Sequence, residues 1–300
     1  MYVVSYWSGN ELRAGVVDGE KLVDAEQCGP YPTSVRAILA AGRLDALLSD
    51  ATRALASPVA VPVSSVRLGP PVPDPDKIIC LGLNYKAHAD EAGLKLPPAP
   101  ILFPKFRNSL IGPSDDIVVP KAAAQKVDYE VELAVVIGKR AREVAENEAL
   151  SYVAGYSVFN DVSARDLQMQ TSQWAPGKAI DTFAPMGPGI VPAAEIGDPQ
   201  RLQLKTRVNG VELQNDNTSL MIFSVARTIA FITSFMTLEP GDIIATGTPA
   251  GVGFTRNPPV RLIDGDIVEV EVEKIGVLRN KVVSPVTARH EGAAVGAAGT

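Results

Sequence analysis

Hydrophobic positions dominate residues 2–7 and recur over 12–17, with the polar Ser8-Gly9-Asn10 between them, which predicts two strands joined as a hairpin. Apolar residues at helical spacing follow over 34–41 and 44–55. The next stretch, Gly69-Pro70-Pro71-Val72-Pro73-Asp74-Pro75-Asp76, is too rich in proline for regular structure and reads as a linker. Beyond it, 77–83 is apolar and strand-like, and 84–93 reads as a helical turn closed by Gly93. The segments 202–208 and 211–214 flank Asn209-Gly210, the signature of a type I′ hairpin. Residues 219–237 place Ile222, Val225, Ala226, Ile229, Ile232 and Met236 on one helical face, ended before Pro240-Gly241. Further strands are predicted at 242–245 and 267–272, and the residues from about 287 are mostly small or polar, as in a disordered tail. There is no internal repeat. Many strands and few helices predict a β-rich α+β chain: a small N-terminal α+β domain over 1–70, a catalytic domain over 71–285 and a tail over 286–300.

The run Val127-Asp128-Tyr129-Glu130-Val131-Glu132 alternates, and the continuation through Ile137 is apolar, so it predicts a strand that enters a core. Residues i and i+2 of a strand share a face, about 7 Å apart at the backbone, so Glu130 and Glu132 can converge on one point. Two buried carboxylates would repel each other and resist ionisation. A divalent cation removes that penalty, and oxygen-only ligation suits Mg²⁺, Mn²⁺ or Ca²⁺. A second apolar strand, 152–159, ends in Asn160-Asp161 and offers Asp161 as a third oxygen ligand. The same alternation in Glu269-Val270-Glu271-Val272-Glu273 is read instead as a half-exposed strand with a solvated acidic face.

Composition narrows the function. With 300 residues, 46% of them hydrophobic and 21% charged, the chain has the make-up of a soluble globular protein with a sizeable core. A formal net charge of −6 and the lack of a basic stripe argue against nucleic acid or an anionic membrane as partner. Cys28 and Cys80 are too few for a disulfide framework. No apolar stretch has membrane-spanning length, and the N-terminus lacks the basic region and cleavage site of a signal peptide; a cytoplasmic location is therefore expected.

Other residues carry two readings each. His88 and Glu91 share a helical face and form either a water-activating dyad or an ordinary surface pair. Lys178, after Pro176-Gly177, is either a solvated loop lysine or a cation that pairs with a buried carboxylate and stabilises an enolate. Arg165 and Gln168 closely follow Asp161 and either point to the same place or lie on a helix surface. The loop Thr246-Gly247-Thr248-Pro249-Ala250-Gly251-Val252-Gly253 is either a tight turn or a cradle of N–H groups and a hydroxyl for a substrate carboxylate. It is neither a Walker loop nor a dinucleotide fingerprint, and no Gly-x-Ser-x-Gly elbow is present.

Taken in order, Gly82-Leu83-Asn84-Tyr85 with His88 and Glu91, Tyr129 to Leu133, Asn160 to Asp166, Lys178 to Phe183 and Asp242 to Gly253 resemble the fumarylacetoacetate hydrolase family over about 77–283. The resemblance implies a mixed β-sandwich roll, usually a homodimer, with Mg²⁺ or Mn²⁺ on Glu130, Glu132 and Asp161. It assigns His88 and Glu91 to a base dyad, often on a segment that orders over substrate. It puts Lys178 and Gln168, with Arg165 close by, near the substrate's oxo groups, and Thr248 near its carboxylate. Some members have an additional acidic ligand near the position of Asn84, so three protein ligands are expected here. The implied activity is hydrolysis of a C–C bond in a 2,4-dioxo acid such as an acylpyruvate or a fumarylacetoacetate-like acid, as in aromatic catabolism. Water activated by the dyad would attack the distal carbonyl and leave an enolate whose charge the metal and Lys178 stabilise. The alternatives are an oxaloacetate decarboxylase, a hydroxymuconate-type isomerase or decarboxylase, and, further off, a non-enzymatic metabolite-binding scaffold. The segments 93–100 and 170–174 are expected to shape the distal end of the pocket.

Overall fold

The structure is a computed structural model that describes residues 1–120 and 125–284. The 286–300 tail falls outside the described residues. The fold is α+β and dominated by sheet. An 11-stranded sheet runs from the N-terminal hairpin (Tyr2–Ser8 and Glu11–Asp18) through Ala184–Pro192, Val153–Asn160, Val131–Ile137, Ile243–Ala245 and Ile78–Gly82 to the edge strand Ile101–Lys105. A 5-stranded sheet carries the Gln203–Val208 and Val211–Asn217 hairpin, with Asn209 and Gly210 both at positive φ as a type I′ turn requires.

The central strand Val131–Ile137 positions the site. Val131, Leu133, Val135 and Ile137 enter one core, shared with the 5-stranded sheet and the helix Val225–Thr233. Ala134 and Val136 enter a second core, shared with the N-terminal strands and the helix Leu44–Leu55. Glu130 and Glu132 continue the second phase toward the end of the strand. The strand is not continuous with Val127–Asp128, which pairs separately with Ser163–Ala164. Glu130 lies in the break, where its N–H donates to Asn160 Oδ1 at 3.1 Å and its carbonyl accepts from Asp161 N at 2.9 Å.

The N-terminal strands belong to the same sheet as the site, joined by the pairing of Val3 with Ile190. The proline run 69–76 has no regular structure, as expected, but Pro70, Pro71 and Val72 are buried, so it is packed chain and not a free tether. The predicted helix over 219–237 is shorter: only Val225–Thr233 is α-helical. The cause is Asn84, whose carbonyl and side-chain oxygens accept from Ile222 N at 2.7 Å and Phe223 N at 2.8 Å and hold that segment outside the helix. Ser224 then caps the helix through Arg227 N. Glu269 and Glu271 are half-buried and pair with Arg279 and Arg207, in keeping with the solvated-face reading of that strand.

Candidate active site

Three carboxylates meet at the end of the central strand. Ligand oxygens of Glu130, Glu132 and Asp161 all lie within 4.8 Å of one another, and all three residues are buried. Asp161 follows the strand Val153–Asn160, the antiparallel neighbour of Val131–Ile137. Antiparallel pairing therefore brings acids distant in sequence to one sheet end.

Lys178 closes the cluster. It is 2% exposed, and its Nζ donates to Glu130 Oε2 and Asp161 Oδ2, each at 2.6 Å. It ends the short helix Ala175–Lys178, which packs against Arg165–Gln168 only because Gly177 has no side chain. A Cβ there would lie 2.5 Å from Gln168 N and 2.6 Å from Ala164 O. Arg165 is also buried; it spans Asp128 Oδ2 and Glu130 Oε1 and donates to Gln168 Oε1 at 2.9 Å. The solvated-loop reading of Lys178 and the helix-surface reading of Arg165 and Gln168 are thereby excluded.

Burial alone would raise the Glu130 carboxyl, but Lys178 and Arg165 outweigh it and hold the group well below the usual range. Glu132 has no such partner. Burial, then repulsion from Asp161 and Glu130, pushes it well above the usual carboxylate range, against the opposing pull of Lys178 and the Gly247 N–H. Burial lowers the Lys178 ammonium, yet Asp161 and Glu130 outweigh that and leave it raised. The buried carboxylates Asp128, Glu130, Glu132 and Asp161 outnumber the buried cations Lys105, Lys178 and Arg165 by one, so ionisation of Glu132 leaves one negative charge for a bound cation to offset. Oxygen-only donors with that charge fit a hard divalent cation.

His88 Nδ1 meets Glu91 Oε1 at 2.8 Å on the helix Lys86–Glu91. A carboxylate can only accept, so Nδ1 carries the proton, and in the neutral imidazole the lone pair lies on Nε2. His88, Glu130, Glu132, Lys178, Gln168 and Thr248 line one cavity of about 350 Å³. Leu94, from the 93–100 segment, and Trp174, from 170–174, form apolar wall in the same cavity with Met169 and Phe103. Trp174 stands edge-on to Phe103, with ring centroids 5.3 Å apart, and lies so close to Gly82 that a Cβ there would meet it at 2.3 Å.

The glycine loop has internal partners. It does offer N–H groups, but to the protein's own carboxylates: Gly247 to Glu132 Oε2 at 2.8 Å, Gly251 to Glu91 Oε2 at 2.9 Å and Gly253 to Asp128 Oδ1 at 2.7 Å. Those three donors are occupied; Thr248 is the loop residue on the cavity wall, and its hydroxyl accepts from Gln214 Nε2 at 2.9 Å. Asn84 is not placed as a ligand. Its Nδ2 donates to Phe223 O at 3.0 Å and Thr246 O at 2.8 Å, which leaves three protein carboxylates at the cluster. Lys105, Asp128 and Gln214 escaped the sequence reading. A lysine in the buried phase of a strand, two residues after Phe103, was the available signal for Lys105.

Residues 77–283 match the model of the fumarylacetoacetate (FAA) hydrolase C-terminal domain, and the chain belongs to that family. Among curated proteins it is 45% identical to the mitochondrial oxaloacetate tautomerase Fahd2a of Rattus norvegicus, over 91% of this chain and 86% of the relative. Among solved structures, the fumarylacetoacetate hydrolase of Exiguobacterium antarcticum superposes with a TM-score of 0.80 at 38% identity, covering 95% of this chain and 99% of the other. The maleylpyruvate hydrolase of Sphingobium sp. SYK-6 gives 0.78 at 33% identity, covering 95% and 100%.

Proposed function

We propose that this protein is a divalent-metal-dependent enzyme that moves a proton at the carbon beside the oxo group of a 2-oxo acid, interconverting the keto and enol forms of oxaloacetate. The observation that carries the reading is the convergence of the His88–Glu91 dyad with Glu130, Glu132 and Lys178 on one cavity. The 45% identity to a rat oxaloacetate tautomerase supports this choice of substrate.

Glu130, Glu132 and Asp161 would hold Mg²⁺ or Mn²⁺, which when bound supplies Lewis-acid polarisation of the 2-oxo group. His88 Nε2 removes a proton from the adjacent carbon. The C–H electron pair becomes the C=C bond, the carbonyl π pair moves onto oxygen, and the proton on His88 passes to that oxygen, directly or through water, which completes the enol and restores the neutral imidazole. Glu91 fixes the tautomer of His88 and offsets the charge on the imidazolium. Lys178 has three N–H donors and directs two of them to Glu130 and Asp161; the remaining one serves the developing oxyanion. Gln168 and Thr248 orient the substrate, and Arg165 holds Glu130 and Gln168 in place.

A second reading is C–C hydrolysis of an acylpyruvate-type acid. It is favoured by a dyad able to activate water and by the likeness to a maleylpyruvate hydrolase. Proton NMR in deuterated buffer separates the two. Metal-dependent exchange at C3 of oxaloacetate, faster than pyruvate appears, supports the tautomerase. Metal-dependent release of pyruvate and acetate from acetylpyruvate, without such exchange, supports the hydrolase. Pyruvate formed from oxaloacetate as fast as exchange would indicate a decarboxylase. A homodimer is expected from the family, with sedimentation velocity as its test. The free thiols Cys28 and Cys80 suit a reducing compartment, either the cytoplasm or a mitochondrial matrix.

A further inference from the structure

Lys105 ends the edge strand Ile101–Lys105 and is 1% exposed. Its Nζ donates to Asp161 Oδ1 at 2.5 Å and to Val162 O at 3.0 Å. The other oxygen of Asp161 receives Lys178 at 2.6 Å, so each carboxylate oxygen carries one ammonium. The two lysines are not equivalent. Lys178 lines the cavity and touches two members of the cluster; Lys105 is absent from the cavity wall and touches Asp161 alone. A buried ammonium has a desolvation cost that an apolar side chain of similar length would not have. Lys105 lines a separate cavity of about 280 Å³ with Pro104 and Arg107, so what its ammonium does for the site that His88 and Lys178 line acts through Asp161.

We propose that Lys105 is a positioning residue: it anchors Asp161 Oδ1, fixes the orientation of the carboxylate whose other oxygen Lys178 holds, and so sets the cation affinity of the site. This rests on reading Glu130, Glu132 and Asp161 as a cation site. Two physical effects oppose each other. Loss of the anchor lets the carboxylate rotate and weakens binding, as is general for groups that orient metal ligands. Loss of the nearby positive charge would by itself tighten binding. The sign of the change therefore reports which role Lys105 has.

The test is calorimetric titration of the full chain with Mn²⁺, for wild type first and then for Lys105→Met and Lys105→Gln. The metal-free melting temperature and the Mn²⁺ electron paramagnetic resonance spectrum are recorded alongside. Lys105→Met is expected to bind about 10–100-fold more weakly with an altered Mn²⁺ spectrum. Lys105→Gln, which keeps a donor for Asp161, is expected to fall between it and wild type. Equal or tighter binding by a folded Lys105→Met variant would reduce Lys105 to a counter-charge and overturn the proposal. So would a lowered metal-free melting temperature with unchanged affinity. If Lys105→Met does not fold, Lys105→Gln decides by the same sign. Absence of Mn²⁺ binding in wild type would overturn the cation site itself, and Lys105's role with it.

Discussion

The backbone N–H of Gly251 donates to Glu91 Oε2 at 2.9 Å, while Glu91 Oε1 holds His88. The loop after strand Ile243–Ala245 is thus tied to the helix that carries the dyad, and the imidazole is oriented without substrate. Gly251 sits at φ +101°, and a Cβ there would lie 2.4 Å from Leu213 O. Gly251→Ala should therefore displace this N–H, lowering kcat by about tenfold or more while leaving Mn²⁺ affinity unchanged. Steady-state kinetics beside a metal titration would check both halves.

Removal of the imidazole tests the dyad directly. His88→Ala should reduce metal-dependent exchange at C3 of oxaloacetate by about 10²–10⁴-fold. Its substrate affinity should be nearly unchanged, because Lys178, Gln168 and Thr248 remain. Exchange at the wild-type rate would remove His88 from proton transfer.

Metal binding should depend on pH through Glu132. Its carboxyl is raised, so between the ordinary range near 4.5 and its raised value the native protein holds a proton that the unfolded chain has released. Metal-free stability therefore falls as pH rises through that window, and the penalty is complete above it. A cation removes the penalty by binding the ionised group. The gain in melting temperature on adding Mg²⁺ should thus be larger at about pH 8 than at about pH 5.5. Chelation with EDTA at the higher pH should abolish both the gain and the activity.

Trp174 and Gly82 should behave as a coupled pair. Gly82→Ala forces the indole away from Phe103 and should raise KM, whereas in a Trp174→Ala background the same change should have little effect. Additive effects in a double-mutant cycle measured on KM would contradict this packing.

Asn84→Asp tests whether this position can become a fourth ligand. Both Nδ2 donors would be lost and a carboxylate set against the carbonyls of Phe223 and Thr246, a destabilisation of about 2 kcal/mol or more. Denaturant unfolding should register this loss, with no increase in metal affinity.

Much of this fold was legible because the strands obey local rules. Asn209-Gly210 dictates its own turn, and the acids of 130 and 132 stand out where an alternating run turns apolar. The carboxylate cluster was legible for the same reason. Lys105 was not, because a lysine at a strand end reads as solvent-facing until the chain that follows Val153–Asn160 brings Asp161 onto its ammonium. The glycine loop reads equally as a tight turn or as a cradle because its N–H groups have no visible owner in the sequence; Glu132, Glu91 and Asp128, supplied by distant segments, claim those of Gly247, Gly251 and Gly253. The helical period over 219–237 is real, but nothing local reveals that Asn84 pins Ile222 and Phe223.

The alternating side chains of Val131–Ile137 feed one core with odd positions and the other with even ones, and the paired glutamates share the even phase. That strand therefore behaves as a reading frame. Inserting one residue between Glu132 and Ala134 would exchange the occupants of the two cores and uncouple the glutamates from the strand that aims them. Such a frameshift in space would eliminate folding and chemistry together, whereas a two-residue insertion would preserve the phase.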